Sequence, residues 1–378
     1  MDGVGLTDCL DDLRHVADRL TERVLAAGSP GREADLAVKM FGAIMGAYLS
    51  HLWSDPDHPS FLPSVGYYQM YGTPNPDTVY RTAVIDGGGR YLITGHRGSV
   101  ADVTVMPFGA PTAGGLQTFP PFDLAGLAVD GDGTFEVVLS GSRPKEARNW
   151  WLLQPGMRTL MMRSVSDEWG VPAEPRVAIV RLDADPRRPR TTSGGLGTRL
   201  RSFAPVVEAM IMSGVNRVAD LRARDVVNRL VPVDYSASGG LGDQWYHEGC
   251  FALGDGQVLV VEAPVAPECR AFSLSLTDPF FSTVDWANSQ SSLNLRQAVI
   301  DPDGVLRVVV AADDPGIRNW LDTTGHDFGV LQCRWLGGDA APAVSVNAVA
   351  AVALDQALPG TVARTTPEER IEQVRPCS

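Results

Sequence analysis

Two stretches of this chain carry the same words in the same order, and that repetition limits its fold more than any other feature. One runs DGDGTFEVVLSG from Asp130, then Pro144, then RNWWL from Arg148, then a β-rich segment through Met157 to Arg163. The other runs DPDGVLRVVVAA from Asp301, then Pro315, then RNWL from Arg318, then a β-rich segment through Val330 to Arg334. Asp301 follows Asp130 by 171 residues, Asn319 follows Asn149 by 170, and Arg334 follows Arg163 by 171. The echo reaches upstream. Asp77-Thr-Val-Tyr80-Arg81 and Asp243-Gln-Trp-Tyr246-His247 lie 166 residues apart, and each precedes a glycine turn and a strand, YLITG from Tyr91 and VLVVE from Val258. A fixed offset means two copies of one structural unit.

Within a copy the pattern is that of strands. In TFEVVLS, Phe135, Val137 and Leu139 share one face, a period of two that marks a half-buried strand, with turn signals on either side. Several such runs without an intervening helix point to antiparallel sandwich or jelly-roll-like units. Helical periodicity occupies residues 8–27, where Leu10, Leu13, Ala17, Leu20 and Val24 recur at three- and four-residue steps. It also occupies residues 32–53, where Val38, Phe41, Ile44, Met45, Tyr48, Leu49 and Leu52 make a face broad enough to predict burial against a larger body. Helical signals return from Phe203 to Leu230, with a break expected at Ser213-Gly214, after a Pro/Gly-rich linker at 185–199. Near the end, Thr366, Pro367 and Glu369 form a capping box that predicts a short helix over 367–375.

The expected architecture is therefore α+β and mainly β: two tandem antiparallel β-sandwich (jelly-roll-like) repeats, each preceded by helices. The units are N-terminal helices (1–62), a first repeat (63–184), linker and helices (185–235), a second repeat (236–342) and a C-terminal segment (343–378).

Charge and cysteine usage narrow the function classes. A net charge of −13 argues against a phosphate-backbone partner, because nucleic-acid binders need a basic patch. No apolar run reaches the length of a membrane span, and the start lacks the basic-then-apolar pattern of a secretory leader. The five cysteines, Cys9, Cys250, Cys269, Cys333 and Cys377, form no CxxC pair, which fits reduced thiols in the cytoplasm. The expected partner is a small, apolar ligand, with no nucleic acid and no membrane, and a homo-oligomer is allowed.

Familiar catalytic signatures (a Walker loop, HExxH, GxSxG, a dinucleotide fingerprint) are missing, and no histidine pair has metal-ligand spacing, so no cofactor and no metal is expected. The aspartates of the two DxDG runs read as hairpin turns. Three constellations remain. In the first, a carboxylate stands beside a phenol and a basic group, Asp77, Tyr80 and Arg81 in one copy and Asp243, Tyr246 and His247 in the other, which suits acid–base work. The competing reading is structural, with Asp77 capping turn amides and Tyr80 in the core. The second is Asn319-Trp320-Leu-Asp322-Thr-Thr-Gly-His326. Its Asn-Trp, shared with Asn149-Trp150, reads as a corner, whereas His326 exists in the second copy alone and is the best candidate to titrate near neutrality. The third is aromatic: Tyr67, Tyr68, Tyr71, Trp245, Tyr246, Phe280, Phe281 and Trp286, which could gather at the mouth of an apolar pocket.

PDHPSFLPSV, NPDTVYRTAVIDGGGRYLITGHRGSVADVTV, and NWLDTTGH with the following GVLQCRW resemble the domain-of-unknown-function family numbered 1214, which often occurs with the family numbered 1254. The resemblance spans most of residues 34–340 and implies β-sandwich units with helical additions. It implies no activity, cofactor or catalytic residue. Some relatives look exported, and this chain departs from them in lacking a leader.

The resulting expectation is a cofactor-independent enzyme of isomerase or lyase type, acting on a small, largely apolar molecule between the repeats. Asp77, Tyr80, Asp243, Tyr246, His247 and His326 would supply acid–base groups. Tyr71, Arg81, Trp245, Trp286, Asn319, Trp320 and Asp322 would bind substrate. The alternatives are a non-catalytic sugar- or lipid-binding protein and an assembly subunit.

Overall fold

The structure, a computed structural model, describes residues 5–25, 32–67, 69–70, 72–112, 115–189, 193–235, 239–240, 244–338 and 340–374. It is mainly β, with four sheets and few helices.

Helices α1 (Leu6–Leu25), α2 (Arg32–Ala47, continued by a π-helical turn Tyr48–Trp53), α3 (Ser193–Arg201) and α4 (Phe203–Ala223) lie at either side of the first β region in sequence. They nevertheless share one apolar cluster. Val16 and Leu20 of α1, Leu36 and Ala43 of α2, and Val207 and Ile211 of α4 are all buried in it, together with Phe280 from the second β region. So the helices expected before each repeat form a single bundle. The end of the expected linker is α3.

Two local expectations fail for reasons of packing. The broad apolar face expected over 32–53 is buried only in part: Ile44 and Leu52 pack on the helix cluster, but Val38 and Phe41 are 75% and 71% exposed, and Met45 and Tyr48 are exposed as well. Lys39 is buried instead, because its ammonium donates to the Phe280 carbonyl and to Ser282 Oγ (2.8 Å). Burial pulls its pKa down to about 8, against the opposing charge of Asp278. Helix α4 also runs unbroken through Gly214. A Cβ there would stand 2.3 Å from the Phe280 carbonyl oxygen, so this glycine permits close approach and stops nothing.

The first β region contains β1 (Leu62–Pro63), β2 (Thr78–Val84), β3 (Tyr91–His96), β4 (Asp102–Thr112), β5 (Gly115–Thr118), β6 (Phe122–Asp123), β7 (Thr134–Ser140), β8 (Trp150–Leu152), β9 (Thr159–Val165) and β10 (Arg176–Arg181). The second contains β11 (Val231–Val233), β12 (Gln244–Ala252), β13 (Gln257–Pro264), β14 (Ala271–Thr277), β15 (Ser292–Asn294), β16 (Val305–Ala311), β17 (Trp320–Asp322), β18 (Phe328–Leu336) and β19 (Ser345–Ala350). Strand orders are β1-β2-β9-β4-β5 (with β6 beside β4) and β10-β3-β7-β8 in the first region, β11-β12-β18-β14-β15 and β19-β13-β16-β17 in the second. Among the described residues the strand pairs are antiparallel except β7–β8 and β16–β17, which are parallel.

Alternation decides which side chains fill each core. Ala83, Val105, Leu160 and Met162 of one sheet meet Ile93, Val137 and Leu139 of the other in the first region. Leu274, Leu331 and Cys333 meet Leu259, Val261 and Val308 in the second.

The repeated words have local jobs. In each DxDG run the second aspartate accepts from the backbone N–H two residues on, Asp132 from Thr134 and Asp303 from Val305. The glycine takes positive φ, +85° at Gly133 and +79° at Gly304. They are tight turns leading into β7 and β16, not hairpins as expected, because the residues before them form no strand and β7 and β16 pair with β3 and β8 and with β13 and β17, respectively. Asn149 and Asn319 lock the corners: each side-chain amide accepts one backbone N–H and donates to two carbonyls, Ala128 and Glu136 in one case, Val299 and Arg307 in the other. After a short helix α5 (Leu354–Ala357), α6 (Pro367–Val374) begins with the expected capping box, Thr366 N–H to Glu369 Oε2 at 2.9 Å and Glu369 N–H to Thr366 Oγ1 at 3.2 Å. Replacing Thr366 with Ala is expected to cost about 1 kcal/mol in equilibrium urea unfolding.

Candidate functional site

Each half buries one face of a sheet in its own core and turns the other face toward the opposite half. Between these outer faces lies a cavity of about 600 Å³. On β9 the alternation sends Leu160 and Met162 to the core and Met161, Arg163 and Val165 to the cavity. On β18 it sends Leu331, Cys333 and Trp335 to the core and Gln332, Arg334 and Leu336 to the cavity. The pairing registers align two matching rows. Arg163 stands between Tyr80 of β2 and Thr104 of β4, and Arg334 stands between Tyr246 of β12 and Ser273 of β14. All six line the cavity.

The segment from Met70 to Asp77 crosses from the first half onto the second. The Thr283 N–H donates to the Met70 carbonyl (2.9 Å), Thr73 Oγ1 to Gln332 Oε1 (2.7 Å), Thr283 Oγ1 to the Pro74 carbonyl (3.0 Å), and Ser273 Oγ to Asn75 Oδ1 (2.7 Å). Asn75, not Asp77, makes the turn: its side chain accepts the Asp77 N–H at 3.2 Å. This frees the carboxylate of Asp77 for other work.

Asp77 is buried, and its Oδ1 accepts from Trp169 Nε1 (2.8 Å) and from Asn294 Nδ2 (2.7 Å). Among the described residues Oδ2 takes no hydrogen bond. Burial raises its pKa to about 6, partly offset by those two donors and by the charge of Arg334, while Asp167 pushes it further up. A carboxyl poised there can both give and take a proton near neutrality.

Deeper in the cavity wall is a buried polar network centred on Glu248, which is fully buried. It accepts from Arg217 Nε (2.7 Å), Gln332 Nε2 (3.0 Å) and the Tyr235 hydroxyl. Burial and the Glu248 charge drive the Tyr235 pKa strongly upward, so the phenol stays protonated and donates. Arg334 is held by the Thr73 carbonyl, Gln332 Oε1 and Ser275 Oγ (3.2 Å). These groups orient one another before any ligand arrives.

Of the residues singled out in the sequence, Asp77, Tyr80 and Tyr246 line this cavity. Asp243 and Tyr71 lie outside the described residues. His247 follows Tyr246 on β12 and so points the other way; it is buried, and burial lowers its pKa. His326 sits in the β17–β18 turn, where its Nδ1 meets the Thr323 carbonyl (2.9 Å) and Nε2 lies 3.5 Å from Asp35 of α2. Asp322 caps the Thr324 N–H (2.7 Å), and burial raises its pKa. Arg81 pairs with Glu174 (3.5 Å). Tyr68 also lies outside the described residues, and the described members of the aromatic group do not gather. Trp245 donates to the Gly338 carbonyl, Trp286 meets Tyr67 edge-on at 5.8 Å, Trp320 donates to the Ala311 carbonyl beside Asn319, Phe280 joins the helices, and Phe281 alone joins Tyr246 at the cavity. Arg163, Arg217, Arg334, Trp169, Tyr235, Glu248 and Asn294 were not singled out. Among the described residues no three His, Cys, Asp or Glu side chains converge as metal ligands, and no helix is long and apolar enough to cross a membrane.

Among solved structures, the chain is similar to an uncharacterised protein from Burkholderia cenocepacia, with 26% identity over 92% of this chain and 98% of that one and a TM-score of 0.84. It is similar at 14% identity to the VPA0106 protein from Vibrio parahaemolyticus, over 83% of this chain and 98% of that one, with a TM-score of 0.46 on which no argument rests. No family model matches the chain, and no curated protein matches it.

Proposed function

We propose that the cavity between the halves receives a small, largely apolar molecule, and that Asp77 moves protons on it in an isomerase- or lyase-type reaction without a cofactor. The observation that carries this reading is Asp77 itself: a buried carboxyl with a pKa near 6, anchored through Oδ1 and open at Oδ2, in a cavity walled by Phe108, Met161, Val165, Phe281 and Leu336. Desolvated carboxyls tuned toward neutrality are typical of acid–base sites. The tyrosines Tyr80 and Tyr246 are neighbouring groups able to hold a polar atom of the substrate.

The same proposal takes the two β regions as copies of one β-sandwich unit in a cytoplasmic member of the family numbered 1214. The matching strand orders, with one parallel pair in each copy, support the duplication. A cleft between duplicated halves lets each contribute a partner to Asp77, Trp169 from the first and Asn294 from the second.

The test begins with native mass spectrometry of protein purified from its own host, followed by denaturation and identification of the released molecule. That molecule is then returned to the protein in heavy water and followed by proton NMR. Exchange of a C–H for deuterium, or product formation, is expected, slowed about 100-fold or more by Asp77→Asn. A molecule that binds but neither exchanges nor changes would make this a binding protein.

A further inference from the structure

A chain of net charge −13 has placed three arginines, Arg163, Arg217 and Arg334, around one mostly apolar cavity. Their counter-charges do not balance locally. Arg217 is paired with Glu248 (2.7 Å) and Asp220 (3.2 Å). Among the described residues neither Arg163 nor Arg334 makes an ion pair with an acidic side chain. Of the remaining carboxylates on the cavity wall, Asp167 is engaged by Arg296 at 3.2 Å, Asp102 sits exposed at the start of β4, and Asp77, whose pKa the charge of Arg334 lowers, accepts from Trp169 and Asn294.

The hydrogen-bond inventory sharpens the point. Arg334 has its donors occupied by Thr73, Gln332 and Ser275. By contrast Arg163 Nη1 and Arg217 Nη2 are both buried atoms with no hydrogen-bond partner among the described residues. A guanidinium N–H removed from water without an acceptor costs free energy, and the cost is larger for a charged donor. Both guanidinium groups belong to residues that line one cavity, Arg163 on β9 of the first half and Arg217 on α4 beside the second, and an acceptor with negative charge there would meet their unmet donor capacity.

We propose that the ligand of this cavity is an organic carboxylate, its anionic head received by the guanidinium groups of Arg163 and Arg217 in the field of Arg334, and its apolar body lying against Phe108, Phe281 and Leu336. This rests on the cavity being a binding site, as argued above, and adds the ligand's chemical class. Planar guanidinium groups suit the two oxygens of a carboxylate, and a dry, preformed wall strengthens such charge-assisted bonds. The pseudo-symmetric placement of Arg163 and Arg334, each central in its sheet and each flanked by a tyrosine and a hydroxyl residue, would bracket the head group from both halves.

Isothermal titration calorimetry with matched probes tests this: octanoate against octanol, and phenylbutyrate against phenylbutanol, at mildly alkaline pH where the acids are ionised. The acids are expected to bind about tenfold or more tightly than the alcohols, as a charge-assisted pair predicts. Arg163→Met is expected to erase that preference, bringing the acid's affinity down to that of its matched alcohol. Alcohols binding as well as acids would overturn the inference and leave the cavity as a neutral-ligand site. Acid preference surviving in both Arg163→Met and Arg217→Met would overturn it equally. Binding of neither class would instead sink the underlying reading of the cavity as a ligand site. If Arg163→Met does not fold, the acid-to-alcohol comparison on the unaltered protein still decides.

Discussion

Replacing Asn319 with Ala is expected to lower the free energy of unfolding by about 3 kcal/mol, measured by equilibrium urea denaturation. The side-chain amide accepts the Val299 N–H (2.8 Å) and donates to the carbonyls of Val299 (2.6 Å) and Arg307 (2.9 Å). The Arg307 bond is the costly one to lose. In the parallel pair β16–β17 the ladder starts at Val309 opposite Trp320, and one step earlier the Asn319 side chain bonds the Arg307 carbonyl. Alanine leaves that buried carbonyl without this donor. Asn319→Asp is expected to be at least as harmful, because it keeps an acceptor, loses both donors and buries a charge. Asn149→Ala should cost a similar amount, since Asn149 repeats the arrangement with Ala128 and Glu136. A loss below about 1 kcal/mol in both would mean that water takes over these bonds and that the corner is not a structural lock.

That corner was legible in the sequence because a short polar residue next to a tryptophan recurred at a fixed offset, and repetition singles out local geometry. The strands, the DxDG turns and the α6 cap were legible for the same reason: each depends on neighbours within a few residues. The site was only half legible. Tyr80 and Tyr246 stood out through the repeat, but Arg163 and Arg334, which repeat equally well, served only to mark the ends of the repeated segments. They are interior because both faces of those sheets are covered, a fact that depends on how the halves meet. Trp169 and Asn294 reach Asp77 from 92 and 217 residues away, and no periodicity announces such a meeting. Histidine was favoured for its titration range, yet His326 bonds its own turn and His247 points away from the cavity. Hydropathy also misread α2: it cannot foresee that a backbone carbonyl and a serine would draw Lys39 inward while Phe41 stays in water.

Asp77→Asn is expected to raise stability at neutral pH while removing the proposed chemistry. In the folded protein Asp77 titrates near 6, against 3.8 for the unperturbed group. Between those values the folded state holds a proton that the unfolded chain has released. Stability from this group is therefore complete below about pH 4 and is lost as pH rises through about 6, by about 3 kcal/mol in all. An amide is a neutral isostere that can still accept from Trp169 and Asn294 through its carbonyl oxygen, so the variant escapes this penalty. Urea unfolding of both proteins across this range should show a difference near zero at the acid end and about 3 kcal/mol in the variant's favour above pH 7. Such a residue is retained against the interest of stability, which is the signature of a site that needs the ionised form. If instead the variant is less stable at every pH, the carboxylate is a structural pin between Trp169 and Asn294, and the proton-transfer role assigned to it falls.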